Sequence, residues 1–373
     1  MSGDDLPRDS GISRRRLLAG AAAGVVAVTG LAAGGGALAA PGDKKAKPQP
    51  KKGGAKGKPR PGKDTPIERL AFGACLYNSA RGQILDVIRE ARPDFMLWMG
   101  DNIYADTEDM AEMARKYAVL GDNPRFRKLW KACPSMAMWD DHDFGKNNAG
   151  REYPRKKESK QLFLDFWKVR RTDIRRRRDG IYIARTFGPP GKDLQLILLD
   201  GRTFRTSRYA GRKGRGTMLG DAQWGWLERT LREPATIRLL CSGIQVVNTD
   251  YDRWESWGDF PHERERLFRT IREARAEGVV ILSGDMHHAE LSRDPGALGG
   301  YDAWDLTAAG LDQHEKEQWA NARRVGDVYN EPGGKFGMVR FDWGDDPTVH
   351  LEVRDRKGEV VIAKSLARSE LRQ

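Results

Sequence analysis

Three short segments concentrate the side chains able to do chemistry. They are Gly100-Asp101-Asn102-Ile103-Tyr104, Trp139-Asp140-Asp141-His142-Asp143 and Ser283-Gly284-Asp285-Met286-His287-His288. Each follows an apolar run that reads as a buried strand. Ligands of open α/β sheets bind just outside the carboxyl ends of the strands, so three such ends point to one metal site assembled from distant parts of the chain. Cys75, at the close of a fourth run, joins them. The donors divide by hardness. Thiolate, phenolate and imidazole from Cys75, Tyr104 and His287 suit a transition metal, with Fe(III) favoured by the sulfur and phenolate donors. Asp141 and Asp285 offer hard oxygen and suit Ca²⁺, Mg²⁺ or Mn²⁺. Asp101 is placed to bridge the two ions, and Asn147 and Asn148 can add amide oxygens on the hard side. His142 then has no ligand role and is available as an acid or as a phosphate contact.

Strand and helix patterns alternate from Ile67 onward. Strands are expected over 69–74, 94–99, 135–139, 181–187, 194–199, 237–247 and 279–283, with helices over 82–91, 110–117, 125–131, 157–170, 221–231 and 263–277. The chain then returns to strands over 335–341, 348–354 and 359–363, with a turn at Gly358. Alternation followed by a β-rich end predicts an α/β fold, with two mixed sheets flanked by helices, and a single catalytic domain over 67–373.

Composition confines the charge to one end. Of the formal net charge of +12, residues 1–63 carry +9, which leaves +3 for the remainder. The basic balance therefore describes a tail, and no specific nucleic-acid partner is expected. Three cysteines are too few for a disulfide framework. Cys133 and Cys241 read as core residues, with a single bridge between them as the alternative. Ser13-Arg14-Arg15-Arg16-Leu17-Leu18, the apolar stretch to Ala33 and Ala37-Leu38-Ala39 have the layout of a twin-arginine export signal over 1–40. The alternative is an uncleaved membrane anchor. The Lys/Pro/Gly-rich stretch 41–66 cannot bury a core and is expected to be a disordered linker. It is either a solvated spacer or a weak, salt-sensitive contact to an anionic envelope surface. Export machinery is the implied partner, and a periplasmic, envelope-associated or secreted location follows.

Taken in order, the motifs resemble the alkaline phosphatase D (PhoD-type) family of metallophosphoesterases. The resemblance runs from about residue 69 to 355. It rests on 100–104, on 139–145 with 148–154, on Leu198–Arg205, Met218–Trp224 and Ser242–Val246, and on Phe260–Arg264, Ser283–His287 and Phe336–Val339. It implies a four-layer α/β/β/α sandwich and an Fe³⁺ plus Ca²⁺ centre, with Mn²⁺, Mg²⁺ or Zn²⁺ as substitutes. Cys75, Asp101, Tyr104 and His287 would hold the iron. Asp101, Asp141 and Asp285 would hold the calcium, with Asn147 or Asn148 added. The implied activity is phosphoester hydrolysis by in-line attack of a metal-activated hydroxide, with Asp101 and His142 in the catalytic set. Arg202 and Arg205 match a conspicuous family segment, and two roles stand open for them: bidentate phosphate binding or bracing of the sheet. The run Arg175–Arg178 stands between distal anion recognition and a solvated loop. Many members carry a β-sandwich domain where this sequence has the basic linker, and Leu76 replaces a commonly polar residue. The sequence ends soon after its last strand, which implies an open site and access for phospholipid, wall-polymer or nucleic-acid diesters. A reading of another class is a non-enzymatic, metal-stabilised envelope-binding protein.

Overall fold

The computed structural model describes residues 61–77, 80–250 and 254–373. The expected export signal and nearly all of the expected linker lie outside the described residues. The folded chain starts earlier than residue 67. Gly62 and Thr65 pair in a tight turn, and the Gly188 N–H donates to Gly62 O at 2.7 Å, so 61–66 is attached to the domain.

Thirteen strands form two mixed sheets. In chain order they are β1 (Arg69–Gly73), β2 (Phe95–Met99), β3 (Ser135–Met138), β4 (Ile183–Phe187), β5 (Leu194–Leu198), β6 (Ile237–Cys241) and β7 (Val279–Ser283). They continue with β8 (Ala289–Asp294), β9 (Ala303–Ala308), β10 (Arg324–Tyr329), β11 (Lys335–Asp342), β12 (Thr348–Asp355) and β13 (Val360–Ala367). The first sheet has the order β13-β12-β11-β1-β2-β3, and the second β10-β8-β9-β7-β6-β5-β4. Each sheet contains one run of parallel strands, β1-β2-β3 at one edge of the first and β5-β6-β7-β9 in the middle of the second, while the pairings that reach the other strands are antiparallel. Strands β2, β5, β6, β7 and β9 are buried at every position. Parallel strands covered on both faces read as continuous apolar runs rather than alternating ones, which is why β2, β5, β6 and β7 are visible in the sequence, while β9 is interrupted by Asp305.

Helices α1 (Ile84–Glu90), α2 (Met110–Asp122), α3 (Pro124–Ala132), α4 (Asp141–Phe144) and α5 (Lys156–Phe166) pack among themselves. Helices α6 (Arg208–Arg212), α7 (Gly220–Arg232) and α8 (Pro261–Glu273) form a second set. The two mixed sheets with their helices match the expected fold class. The sheets meet where it matters for chemistry: a parallel bridge joins Ala74, just past β1, to Ala309, just past β9.

Two differences from the expected elements have physical causes. The apolar run 237–247 is not one strand. β6 ends at Cys241, and Gln245, Val246 and Val247 lie in a buried loop whose Val246 and Val247 N–H groups donate to Asp305 Oδ2 at 2.8 and 3.1 Å. Strands β8, β9 and β10 went unpredicted. In β8 and β9 the buried acids Glu290 and Asp305 break the apolar pattern and are satisfied by distant partners: Gln245, Asn321 and Arg324 for Glu290, Ser283 and the 246–247 backbone for Asp305; β10 is largely exposed. The thiols of Cys133 and Cys241 are free and buried, as core residues.

Candidate metal centre

Every expected ligand except the 147–148 pair sits in the first residues after a parallel strand. Cys75 follows β1, Asp101 and Tyr104 follow β2, Asp141 opens α4 after β3, and Asp285 and His287 follow β7. The backbone there is unusual. Among the described residues nine non-glycine positions have positive φ, and six of them are Cys75 (63°), Asp101 (50°), Asp106 (49°), Asn148 (59°), Asp285 (68°) and His287 (54°). Such conformations are costly for residues with a Cβ and cluster where geometry serves function.

One oxygen from each of Asp101, Asp140, Asp141 and Asp285 lies within 4.8 Å of the other three, and all four residues are buried. Asp101 reaches the thiol side as well: Cys75 Sγ is 3.5 Å from its Oδ2 and 3.4 Å from Asp285 O. Tyr104 Oη is 3.1 Å from His287 Nε2. The structure thus brings together Cys75, Asp101, Tyr104, Asp141, Asp285 and His287, with Asp101 between the soft and hard donors. Asn147 and Asn148 are exposed, and the bonds that tie them in come from their backbone, to Asp106 Oδ1 (2.9 Å) and Asp141 Oδ2 (2.6 Å) respectively.

The electrostatics test whether these residues fit a cation. Burial, then repulsion from Asp141 and Asp140, holds Asp101 well above the ordinary carboxylate range, and burial with Asp140 and Asp141 does the same to Asp285. Burial pushes Asp140 up to about 6 even with Arg202 against it. The Cys75 thiol and the Tyr104 phenol are likewise raised, first by burial and then by neighbouring acids. The His287 imidazole is pushed down to about 4, by burial and by His142 and Lys335, and so is neutral and able to donate its lone pair. Asp140 Oδ2 and Asp285 Oδ2 are buried without a hydrogen-bond partner. Buried carboxylates this close need a compensating positive charge. The donor set, four acids beside a thiol, a phenol and a neutral imidazole, fits a centre of two cations.

Around the ligands stands a frame. Asp143, expected to carry chemistry as part of Asp-Asp-His-Asp, is turned inward. It accepts from the Asp140 N–H at 2.6 Å, the Asp101 and Asn102 N–H groups at 3.3 and 3.2 Å and Asn102 Nδ2 at 2.6 Å, locking the β2 and β3 loops together. Gly100 (φ 106°) and Gly243 allow the backbone to press against Asp140, since a Cβ would come to 2.6 Å from Asp140 Cβ at the first and 2.4 Å from Oδ1 at the second.

Arg202 and Arg205 lie behind the carboxylates, with 1 % and 2 % of their surface exposed. Arg202 donates through Nε to Asp140 Oδ1 and through Nη1 to Glu255 Oε2, both at 2.5 Å, with Nη2 3.9 Å from Asp141 Oδ1. Arg205 pairs with Glu255 Oε1 and donates to the carbonyls of Asn148 and Ala149. Of the two roles open from the sequence, these contacts perform bracing. Burial opposes charge on Asp141, but Arg202, His142 and the Asn148 N–H outweigh it and hold Asp141 below its ordinary value. The arginine run is also structural in part: Arg175 pairs with Asp173, Arg176 with Asp165, and Arg178 lies over the Tyr182 ring at 3.6 Å.

His142 is partly exposed at the mouth. Its Nδ1 lies 2.8 and 2.9 Å from the two Asp106 oxygens, and its ring is 4.1 Å from the Tyr104 ring centroid. Burial would lower its pKa, but Asp106 and Asp141 reverse the sign and hold it above the ordinary histidine value. Asp106, Glu255 and Trp254, whose ring meets His287 edge-on at 5.0 Å, are site residues that the sequence reading missed. A carboxylate two residues after Tyr104 was the available signal for Asp106. Glu255 and Trp254 lie in a loop with no periodicity to mark them.

Comparison with known proteins agrees with this picture. The sequence pattern of the family described as PhoD-like phosphatase matches residues 70–309. Alkaline phosphatase D of Bacillus subtilis (strain 168) is 22% identical over 280 residues, covering 61% of this chain and 47% of the relative. The chain thus spans about half the length of that curated relative. Among solved structures, one described as the structure of PhoD superposes with a TM-score of 0.65 at 17% identity, over 84% of this chain and 72% of that one. The protein GAP50, described as the anchor in the inner membrane complex of Plasmodium, superposes with a TM-score of 0.51 at 14% identity, over 81% of this chain and 89% of that one. Both superpositions speak for the fold.

Proposed function

The chain belongs to the PhoD-like phosphatase family, and we propose that it is an exported, metal-dependent phosphoester hydrolase whose centre is the cluster around Asp101. The observation that carries this reading is the convergence of four buried carboxylates beside Cys75, Tyr104 and His287, with two of the carboxylate oxygens unpartnered. Cys75, Tyr104, His287 and Asp101 would hold Fe³⁺. Asp101, Asp141 and Asp285 would hold Ca²⁺ or a hard substitute, with Asp140 close enough to join them. When bound, such ions supply a water of lowered pKa and neutralise charge on the phosphoryl oxygens.

The chain's own groups do the rest. Arg202 and Glu255 fix the orientation of Asp140 and Asp141 from behind. Asp143 fixes the spacing of the β2 and β3 loops. His142, oriented through Nδ1 by Asp106, keeps its other ring nitrogen available to give a proton to the departing alkoxide. A leaving group that is already a stable anion needs no such proton. His142→Ala is therefore expected to lower kcat about a hundredfold or more on an alkyl phosphate and far less on p-nitrophenyl phosphate. Equal losses on the two substrates would make His142 a phosphate contact instead.

Export through the twin-arginine route belongs to the same proposal, motivated by the 13–39 segment. Retained activity outside the cytoplasm when Arg14 and Arg15 are both replaced by Lys would contradict it. The reading itself is tested by initial rates on p-nitrophenyl phosphate and bis-p-nitrophenyl phosphate. Hydrolysis of the first alone makes the protein a monoesterase, hydrolysis of the second makes diesters its substrates, and hydrolysis of neither, in metal-loaded protein, returns it to the envelope-binding reading.

A further inference from the structure

On the far side of the Arg202–Arg205 turn lies a cavity of about 360 Å³ with a marked charge imbalance. Arg151, Lys156, Lys157 and Lys160 line it, against a single carboxylate, Asp179. The turn divides its side chains between two sites: Arg202 and Arg205 face the metal-site acids through Asp140 and Glu255, while Thr203 and Phe204 form part of the cavity wall.

Lys160 is the decisive residue. It is 92 % buried (8 % exposed). Its Nζ donates to Arg178 O at 2.6 Å, and among the described residues it forms no ion pair. An ammonium has three donors, so two remain for a ligand. The nearest acids felt by Lys160 are Asp179 and Asp200. Asp200 is already taken by Trp139, the Ile181 N–H, Arg202 and Thr203. A buried cation without a counter-ion is costly unless something anionic arrives.

The start of α5 points the same way. Arg155, Lys156 and Lys157 stand at the start of α5, where cations oppose the helix dipole. The N-cap residue of α5, Arg155, provides no side-chain cap, and the first residue of that helix, Lys156, lines the cavity; at α7 the Gly220 N–H is already taken by Thr217 Oγ1 at 2.8 Å. An uncapped helix N-terminus beside a buried lysine and three further cations is suited to an anion with several acceptor oxygens.

We propose that this cavity is a second phosphate-binding subsite, next to the metal centre and separated from it by the 202–205 turn. Its ligand is a phosphate group, supplied either by a second phosphate of the substrate or by free inorganic phosphate. Its link to the substrate rests on the hydrolase reading above; phosphate binding in the cavity does not.

The test is calorimetric titration of metal-loaded protein with inorganic phosphate. Wild type is expected to bind two phosphates per chain and Lys160→Met one, with kcat on p-nitrophenyl phosphate within about twofold of wild type. Asp101→Asn should keep the cavity phosphate. Lys157→Glu, on the exposed rim, should weaken the cavity phosphate roughly tenfold and serves if Lys160→Met does not fold. A substrate phosphate as ligand raises KM for glycerol bisphosphate in the Lys160 variant but leaves glycerol monophosphate unchanged. Free phosphate as ligand changes phosphate inhibition from two-site to one-site and moves both KM values together. Equal phosphate stoichiometry in folded wild type and Lys160→Met overturns the proposal. Protein that hydrolyses no phosphoester yet binds phosphate at the cavity supports it while refuting the hydrolase reading, and hydrolysis with a single phosphate site does the reverse.

Discussion

Asp101→Asn is expected to lower kcat for phosphoester hydrolysis by on the order of a thousandfold, with the fold unchanged. Asp101 is the carboxylate common to both donor groups, 3.5 Å from Cys75 Sγ and grouped with the oxygens of Asp140, Asp141 and Asp285. Amide and carboxylate have nearly the same shape, so the substitution removes charge rather than volume. Asparagine also tolerates the positive φ that Asp101 adopts, so the turn is not strained by the change. Metal assistance contributes several kcal/mol to hydrolytic transition states, and about 4 kcal/mol is a thousandfold in rate. The measurement is kcat on p-nitrophenyl phosphate, with circular dichroism and metal content of the same sample. A folded variant with wild-type kcat would remove Asp101 from the bridging position.

Glu255→Ala is expected to cause the largest loss of stability, about 3–5 kcal/mol. Glu255 is buried between two guanidinium groups and accepts from Arg202 Nη1 and Arg205 Nη1. Without it, Arg205 retains only the carbonyls of Asn148 and Ala149. Arg202 keeps Asp140 and the more distant Asp141 but loses one of its two close carboxylates. A buried cation left unpaired costs far more than the intact pair contributes. Glu255→Gln keeps the shape and should cost less. The sign with pH follows from the carboxyl itself: burial disfavours its charge, but Arg202 and Arg205 outweigh burial and depress its pKa in the fold. Its contribution is therefore full above the unfolded glutamate value of about 4 and is lost as pH falls through the folded one. Denaturation midpoints of wild type and variant should converge on acidification. Divergence on acidification would mean that the guanidinium groups are compensated by something other than Glu255.

How much of this was legible in the sequence depended on whether a residue's role is local. The strands that carry the ligands are short apolar runs buried on both faces, and the donors follow at once, so Asp101, Tyr104, Asp141, Asp285 and His287 stood out. Cys75 was readable for the same reason. The frame was not. Asp140 and Asp143 look alike in Trp-Asp-Asp-His-Asp, yet one faces Arg202 and the other captures the loop after β2. That difference is set by partners 62 and about 40 residues away. Glu255, which holds both arginines, and Asp106, which orients His142 across 36 residues, have no periodic or motif signal. Arg202 and Arg205 show the limit most clearly, because phosphate binding and bracing call for the same residue. The choice between them rested on where Asp140 and Glu255 fold. The unpredicted strands β8 and β9 fail in the same way, through buried acids whose compensation comes from elsewhere in the chain, while β10 is largely exposed and has no apolar run to mark it.

A two-ion centre with a soft half built on Cys75, Tyr104 and His287 and a hard half built on Asp141 and Asp285 can be read out by elemental analysis and visible absorption of active protein purified without chelator. Active wild-type protein is expected to contain iron together with a hard divalent ion and to show a visible charge-transfer band that is lost or shifted in Cys75→Ser and Tyr104→Phe. Active protein containing only zinc or manganese would contradict the soft half, and full activity in metal-free protein would contradict the centre as a whole.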